Sequence, residues 1–110
     1  MDTMPLEPEA VERAFHSLAP EDRAEVFSVG AAFHRLNLAK RMERAERKVH
    51  EFEARYHTTF ARLAEEGLPD DADFAMHEDY VEWHYWSRML EQTQKALNTL
   101  SLLLPVTEPA

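Results

Sequence analysis

The sequence lacks three features, each of which would point to a class of function. It has no cysteine, which excludes disulfide bonds, thiol catalysis and zinc–thiolate sites. It has no apolar run near the roughly 18 residues that a membrane-spanning helix needs. The opening stretch MDTMPLEPEA is acidic and has no signal-peptide pattern. We therefore expect a soluble, cytoplasmic protein without a membrane partner.

Glycine is almost as scarce, with only Gly30 and Gly67 among 110 residues. The six prolines lie near the expected ends of elements, and the sequence between them is rich in alanine, leucine, glutamate and arginine, which favour helices. No segment alternates for long between apolar and polar residues, as a half-buried strand would. The sequence therefore predicts an all-α fold, in one domain that covers residues 1 to 110.

The helix-breaking and capping residues predict where three helices begin and end. A short helix is expected at about 8 to 18, because Pro8 suits a first helical turn. A long helix at about 20 to 65 follows, with a break or kink expected near Gly30 and a C-cap at Gly67. A third helix is expected at about 73 to 104, because an aspartate can cap its start and Pro105 ends it.

The apolar residues of the two long helices recur at heptad spacing, which is typical of helices that pack at a shallow angle. The connection between these helices is short, so they are predicted to form an antiparallel, coiled-coil-like hairpin. The apolar positions are Leu38, Met42, Ala45, Val49, Phe52, Tyr56 and Leu63 in the first helix, and Met76, Tyr80, Trp83, Trp86, Leu90, Leu97, Leu100 and Leu104 in the second.

A register for this hairpin follows from the same spacing. It pairs Tyr56 with Trp83 and brings residues of opposite charge together on the flanks, as paired helices prefer. The flanking pairs are Glu51 with Arg88 and Glu43 with Lys95. Each exposed pair contributes only a few tenths of a kcal/mol, so such pairs support the register without holding the fold.

The segment from 26 to 38 is apolar on more than one face of its helix. Phe27 and Ala31 point to one side, whereas Val29, Phe33 and Leu36 point to another. The short first helix can cover one side, and a second copy of the chain could cover the other. A chain of this size is only marginally stable alone, so we expect a homodimer.

Charge is unevenly distributed along the chain. Acidic residues outnumber basic ones by 21 to 12, for a formal net charge of −9, so nucleic-acid phosphates repel the chain overall. DNA could be contacted only weakly, through the local basic cluster of Arg41, Arg44, Arg47 and Lys48. Basic residues recur every seven positions from 41 to 62, however, and this spacing favours a helix edge whose long side chains cover apolar surface.

Motifs for metal binding or catalysis are weak. His77 and His84 lie two helical turns apart, but the chain has no Glu-x-x-His motif of a di-iron bundle and no glycine-rich phosphate loop. We predict no metal, no cofactor and no catalytic residue. A metal-dependent all-α nucleotide hydrolase stays open as an alternative, with a magnesium site formed by Glu43, Glu46, Glu78 and Glu82.

The second half of the chain resembles small helical antitoxin-like proteins of bacteria and archaea, which are encoded beside a short toxin-like partner. The resemblance covers residues 49 to 100, from VHEFEARYHTTF to QKALNTL. His57 departs from the family pattern, which has a glycine at that position. The matching positions are Phe52, Glu53, Tyr56, Gly67, Leu68, Pro69, Asp71 and the block from 77 to 86, with Glu82 and Trp83 at its centre.

The resemblance implies a non-enzymatic protein that binds and neutralises a cognate toxin. Residues 64 to 87 contain eight acidic residues and no lysine or arginine, so this region could complement a basic partner. A structural or adaptor helical module with a different partner is the nearest alternative. The candidate partner-binding residues are Glu78, Asp79, Tyr80, Glu82, Trp83, Tyr85 and Trp86.

Overall fold

The computed structural model describes residues 7 to 103, and within them the fold is all-α, as predicted. The predicted end of the last helix at 104 and the tail that follows lie outside the described residues. Between residues 7 and 103, none of the helices contains an apolar stretch of the length that a membrane span requires. The four helices are α1 (Pro8–His16), α2 (Pro20–Tyr56), α3 (Phe60–Glu66) and α4 (Phe74–Leu103).

The described residues fall into two compact units, one ending at His34 and the other beginning at Arg35. In the first unit, α1 joins the start of α2 through a short turn. The Arg23 guanidinium fixes this turn by donating hydrogen bonds to the backbone oxygens of His16, at 3.1 Å, and Leu18, at 2.7 Å. Ala31 is buried in this unit, and Phe27 is partly buried.

Helix α2 passes through Gly30 without the break expected from the sequence. A Cβ added at Gly30 would meet nothing within 4 Å, so no neighbouring group forces the backbone to bend there. The residues around Gly30 keep the helical hydrogen bonds, and one glycine costs a helix only about 1 kcal/mol relative to alanine. Of the break or kink suggested by the sequence, the break is therefore absent, because Gly30 lies within the helix.

The long helix instead ends at Tyr56, 26 residues after Gly30, and does not continue to about 65. His57 follows with a φ of 55°, in the left-handed region, and its N–H bonds the Glu53 carbonyl at 2.8 Å. Thr59 then caps α3 by accepting a hydrogen bond from the Arg62 N–H at 3.2 Å. The predicted end of this helix at about 65 was wrong, because no glycine or proline marks the break after Tyr56.

The other predicted caps are present. Gly67 ends α3 with a φ of 80°, a conformation that glycine adopts without steric cost. Asp73 caps α4 by accepting a hydrogen bond from the Met76 N–H at 2.8 Å. The loop that joins α3 to α4 is therefore held at both of its ends.

In the second unit, α2 and α4 form the predicted helical hairpin. The buried residues of α2 are Leu38, Ala45 and Phe52, which lie seven apart as the heptad pattern predicted. Trp83 of α4 is fully buried and stacks on Phe52 and Tyr56 at centroid distances of 5.7 and 5.8 Å. Phe60 of the short helix α3 packs on the edge of the same indole ring, at 5.7 Å.

The predicted register is confirmed where Tyr56 meets Trp83, but the predicted ion pairs are not formed. Glu51 pairs with Lys48 at 3.9 Å, and Lys95 pairs with Glu91 at 3.3 Å, so each remains within its own helix. Side chains three or four residues apart on one helix are close neighbours. The ion pairs within each helix therefore form in place of the predicted pairs across the hairpin.

Candidate partner-binding face of α4

Helix α4 has two opposite faces with different environments. Trp83 lies at the centre of the inner face and packs against α2 and α3. A helix turns by 100° per residue, so Phe74, Val81 and Tyr85 lie on the side opposite to Trp83. These three side chains are among the most exposed large apolar groups of the described residues, at 76%, 68% and 54%.

Acidic residues flank the exposed apolar side chains. Glu78 lies between Phe74 and Val81 along the helix, Glu82 follows Val81, and both glutamates are exposed. With Phe74, His77, Val81 and Tyr85 they line one shallow, open depression, which we call the outer face of α4. Because no lysine or arginine occurs from 64 to 87, no basic residue of this segment neutralises the face.

A three-residue network anchors α4 to the end of α2. The Tyr56 hydroxyl and the Arg55 guanidinium both donate to the same Asp79 carboxylate oxygen, at 2.5 and 2.7 Å. Such charge-assisted bonds are stronger than neutral ones. These two hydrogen bonds, which we call the anchor, hold the helical turn of α4 that carries Asp79 against the end of α2, next to the outer face.

The same network shifts the pKa of each partner. The Tyr56 hydrogen bond, aided by Arg55, holds the pKa of the Asp79 carboxyl below its ordinary 3.8, although partial burial acts in the opposite direction. Burial, followed by the hydrogen bond to Asp79, raises the pKa of the Tyr56 hydroxyl above 10.0. Asp79 is therefore charged and Tyr56 neutral at physiological pH, which is the combination that this hydrogen bond requires.

The structure divides the predicted partner-binding residues between the two faces of α4. Glu78, Glu82 and Tyr85 lie on the outer face. Trp83 lies in the core, where a partner could not reach its ring, because the three aromatic rings around it exclude other contacts. Asp79 is used by the anchor, although its carboxylate also borders the outer face.

The two remaining predicted residues are partly buried. Tyr80 packs against Phe60 with ring centroids 5.2 Å apart, and Trp86 belongs to the periphery of the aromatic core. The sequence reasoning missed Phe74, His77 and Val81. Their spacing from Tyr85 by whole helical turns is the signal that identifies them, because it lies outside the heptad stripe.

The basic cluster on α2 borders the outer face of α4 only at Tyr85. Arg41 and Arg44 line an open depression with Tyr85 and Trp86, at the edge of the hairpin. Arg47 is exposed, and Lys48 pairs with Glu51. Arg41 and Arg44, two of the four candidate nucleic-acid contacts, therefore lie beside aromatic side chains of α4. This position is typical of long basic side chains that cover apolar surface.

The glutamates of the hydrolase alternative are distributed over different surfaces. Glu46 lies beside Ser87 and Leu90, whereas Glu78 and Glu82 lie on the outer face of α4. Within residues 7 to 103, no group of three histidine, aspartate or glutamate side chains comes close enough to hold a metal ion.

Two buried polar atoms have no hydrogen-bond partner among the described residues, the Trp83 indole nitrogen and the Thr93 hydroxyl. Thr93 lies on the core face of α4, where its side chain is almost completely buried. Neither atom borders the depression on the outer face, so both belong to the packing of the hairpin.

In comparisons with known proteins, no family model, no curated protein and no solved structure matches the chain.

Proposed function

We propose that the protein is a non-enzymatic, antitoxin-like protein that binds a cognate toxin through the outer face of α4. The single observation that carries this proposal is the exposure of Phe74, Val81 and Tyr85 in a row flanked by Glu78 and Glu82. Soluble proteins seldom expose contiguous apolar patches unless the patch has a binding role. The acidic border selects a partner whose surface is basic and apolar.

The chemistry of the partner follows from this surface. A basic surface is attracted to the outer face over a distance, which speeds association, and the apolar side chains then provide the buried contact area. Toxins that act on nucleic acids or nucleotides present basic surfaces to the phosphates of their substrates. An acidic binding protein is complementary to such a surface and competes with the substrate for it.

The left-handed conformation of His57 lends separate support to the resemblance. The antitoxin-like family has a glycine at this position, and a φ of 55° is the conformation that favours glycine. A glycine at this position would adopt the same backbone conformation without a steric cost. A structural or adaptor module would use the same hairpin, but its partner would not be toxic.

The proposal is tested by co-expressing the chain with the product of the neighbouring gene and measuring complex formation by size exclusion with light scattering. We expect a stable complex that relieves the growth defect caused by the neighbour alone. Tyr85→Ala should weaken the complex about tenfold or more, because tyrosine anchors contribute strongly to interfaces. Reversing both Glu78 and Glu82 to arginine should slow association and remove most of its salt dependence.

Glu91→Arg is the matched control, because Glu91 is an exposed glutamate on the same helix, outside the outer face. This variant should bind like the unmodified chain. A neighbour that is harmless when expressed alone would refute the toxin part of the proposal. A toxic neighbour whose binding is equally affected by the control and by the Glu78 and Glu82 reversal would refute the assignment of the face.

A further inference from the structure

The first half of α2 carries a second apolar stripe, on a different helix from the outer face of α4. Val26, Val29, Phe33 and Leu36 follow one another at steps of three, four and three, so they share one side of the helix. Their exposed fractions lie between 53% and 68%. Ala31 is buried on the opposite side of α2, so the stripe is not the side that the first unit buries.

The spacing of the stripe indicates that its occupant is another helix. Steps of three and four are the a and d positions of a heptad, which interlock with the same positions of a second helix. The residues from 26 to 33 include no ionisable side chain, and the small residues Gly30 and Ala32 flank the stripe. A Cβ at Gly30 would meet nothing within 4 Å, which leaves room for a helix to approach closely.

The stripe is complementary to itself in the antiparallel orientation. In an antiparallel pair, an a position of one helix faces a d position of the other. When Val29 faces the Phe33 of a second copy, Val26 faces the Leu36 of that copy, and the reciprocal contacts form at the other end. All four apolar side chains are then covered by one symmetric contact, as an isologous interface requires.

The charges beyond the stripe select the same orientation. The start of α2 carries Glu21 and Asp22, and the stretch after the stripe carries Lys40 and Arg41. In the antiparallel register, Asp22 faces Lys40 of the second copy at each end of the contact, so both ends bring opposite charges together. A parallel pair would place each charge opposite its own copy, where like charges repel.

We infer that the chain forms an antiparallel homodimer through the Val26, Val29, Phe33 and Leu36 stripe of α2. Asp22, the stripe and Lys40 all belong to helix α2, which runs from Pro20 to Tyr56. The inference does not depend on the proposed function, because the stripe and the outer face of α4 lie on different helices.

Light scattering of the full chain and of two matched variants tests the inference. Phe33→Glu should weaken dimerisation on the order of a hundredfold or more, because it places two unpaired charges in a closed apolar contact. Val81→Glu is the control, since Val81 is equally exposed at 68% but lies on α4, and it should leave the dimer intact. Circular dichroism checks that both variants keep their helices.

A charge exchange tests the orientation itself. Asp22→Lys and Lys40→Asp should each weaken the homodimer about tenfold, because each places like charges opposite one another at both ends. An equal mixture of the two variants should recover the dimer mass as a heterodimer, because both of its ends again pair opposite charges. Residues 22 and 40 lie too far apart on one helix to meet within a chain, so recovery requires a contact between copies.

The inference is overturned if the unmodified chain has the mass of one copy, or if Phe33→Glu stays dimeric. It is also overturned if Val81→Glu disperses the dimer while Phe33→Glu does not, which would place the second copy on α4. If Phe33→Glu gives a monomer but the mixture does not recover the dimer, the antiparallel register is refuted.

Discussion

His57 offers a test of the fold at a single backbone position, because it adopts a left-handed conformation without being glycine. The side chain is exposed, and the hydrogen bond that it contributes to the end of α2 comes from its backbone N–H. His57→Gly therefore keeps that bond and removes only the Cβ that makes the conformation costly. The variant should be more stable than the unmodified chain.

The size of the effect follows from two opposing terms. A left-handed residue with a Cβ costs about 1–2 kcal/mol. Glycine loses about 0.5–1 kcal/mol more conformational entropy on folding than alanine does. The net gain is then roughly 0.5–1 kcal/mol, which corresponds to a rise in Tm of roughly 2–6 °C for a domain of this size.

Thermal unfolding followed by circular dichroism measures this change against two controls. His57→Ala keeps the Cβ and should change the free energy of unfolding by less than about 0.5 kcal/mol. Ala54→Gly places a glycine one turn earlier, at an exposed position inside α2, and should cost about 0.5–1 kcal/mol. If His57→Gly lowers the Tm as Ala54→Gly does, then residue 57 is not left-handed in solution and the break between α2 and α3 is refuted.

Two further predictions concern the packing of the hairpin. Thr93→Val should stabilise the chain by about 1 kcal/mol, because it replaces a buried hydroxyl that has no described partner. The control Thr99→Val, at an exposed position of α4, should have little effect. An equal change in the free energy of unfolding in urea for both variants would contradict this prediction. Asp79→Asn should cost about 1–2 kcal/mol at neutral pH, because it weakens the charge-assisted bonds from Tyr56 and Arg55. Since the folded state lowers the pKa of Asp79, this stability is present above the ordinary carboxyl value of 3.8 and is lost as the pH falls through the lowered pKa; a difference between the two proteins that stays constant down to strongly acidic pH would contradict the network.

The core of the hairpin was predictable because burial in paired helices leaves a period in the sequence. Leu38, Ala45 and Phe52 recur every seven residues, and all three are buried. The burial of Thr93 was not predicted, because a polar residue at a core position of a helix cannot be distinguished by its type from a surface residue. Its burial depends on the side chains of the facing helix, which a period within one helix does not describe.

The break after Tyr56 could not be predicted from the usual signals, because a histidine takes the place of the expected glycine. The adjacent threonines at 58 and 59 were the available sign, since Thr59 is a favoured N-cap residue. The consequence for the core is large. The break turns α3 so that Phe60 closes over Trp83 and stacks on His84 at 5.3 Å.

The sequence alone determined the helical class, the hairpin and the acidic character of the segment around α4, because composition and spacing are properties of each helix by itself. Only the tertiary structure decided which side chains of the segment 75 to 86 remain on the surface. It took Trp83 into the core and committed Asp79 to the anchor, because these positions face α2 and α3. It left Val81 and Tyr85 exposed, because they lie on the side of α4 that points away from the core around Trp83.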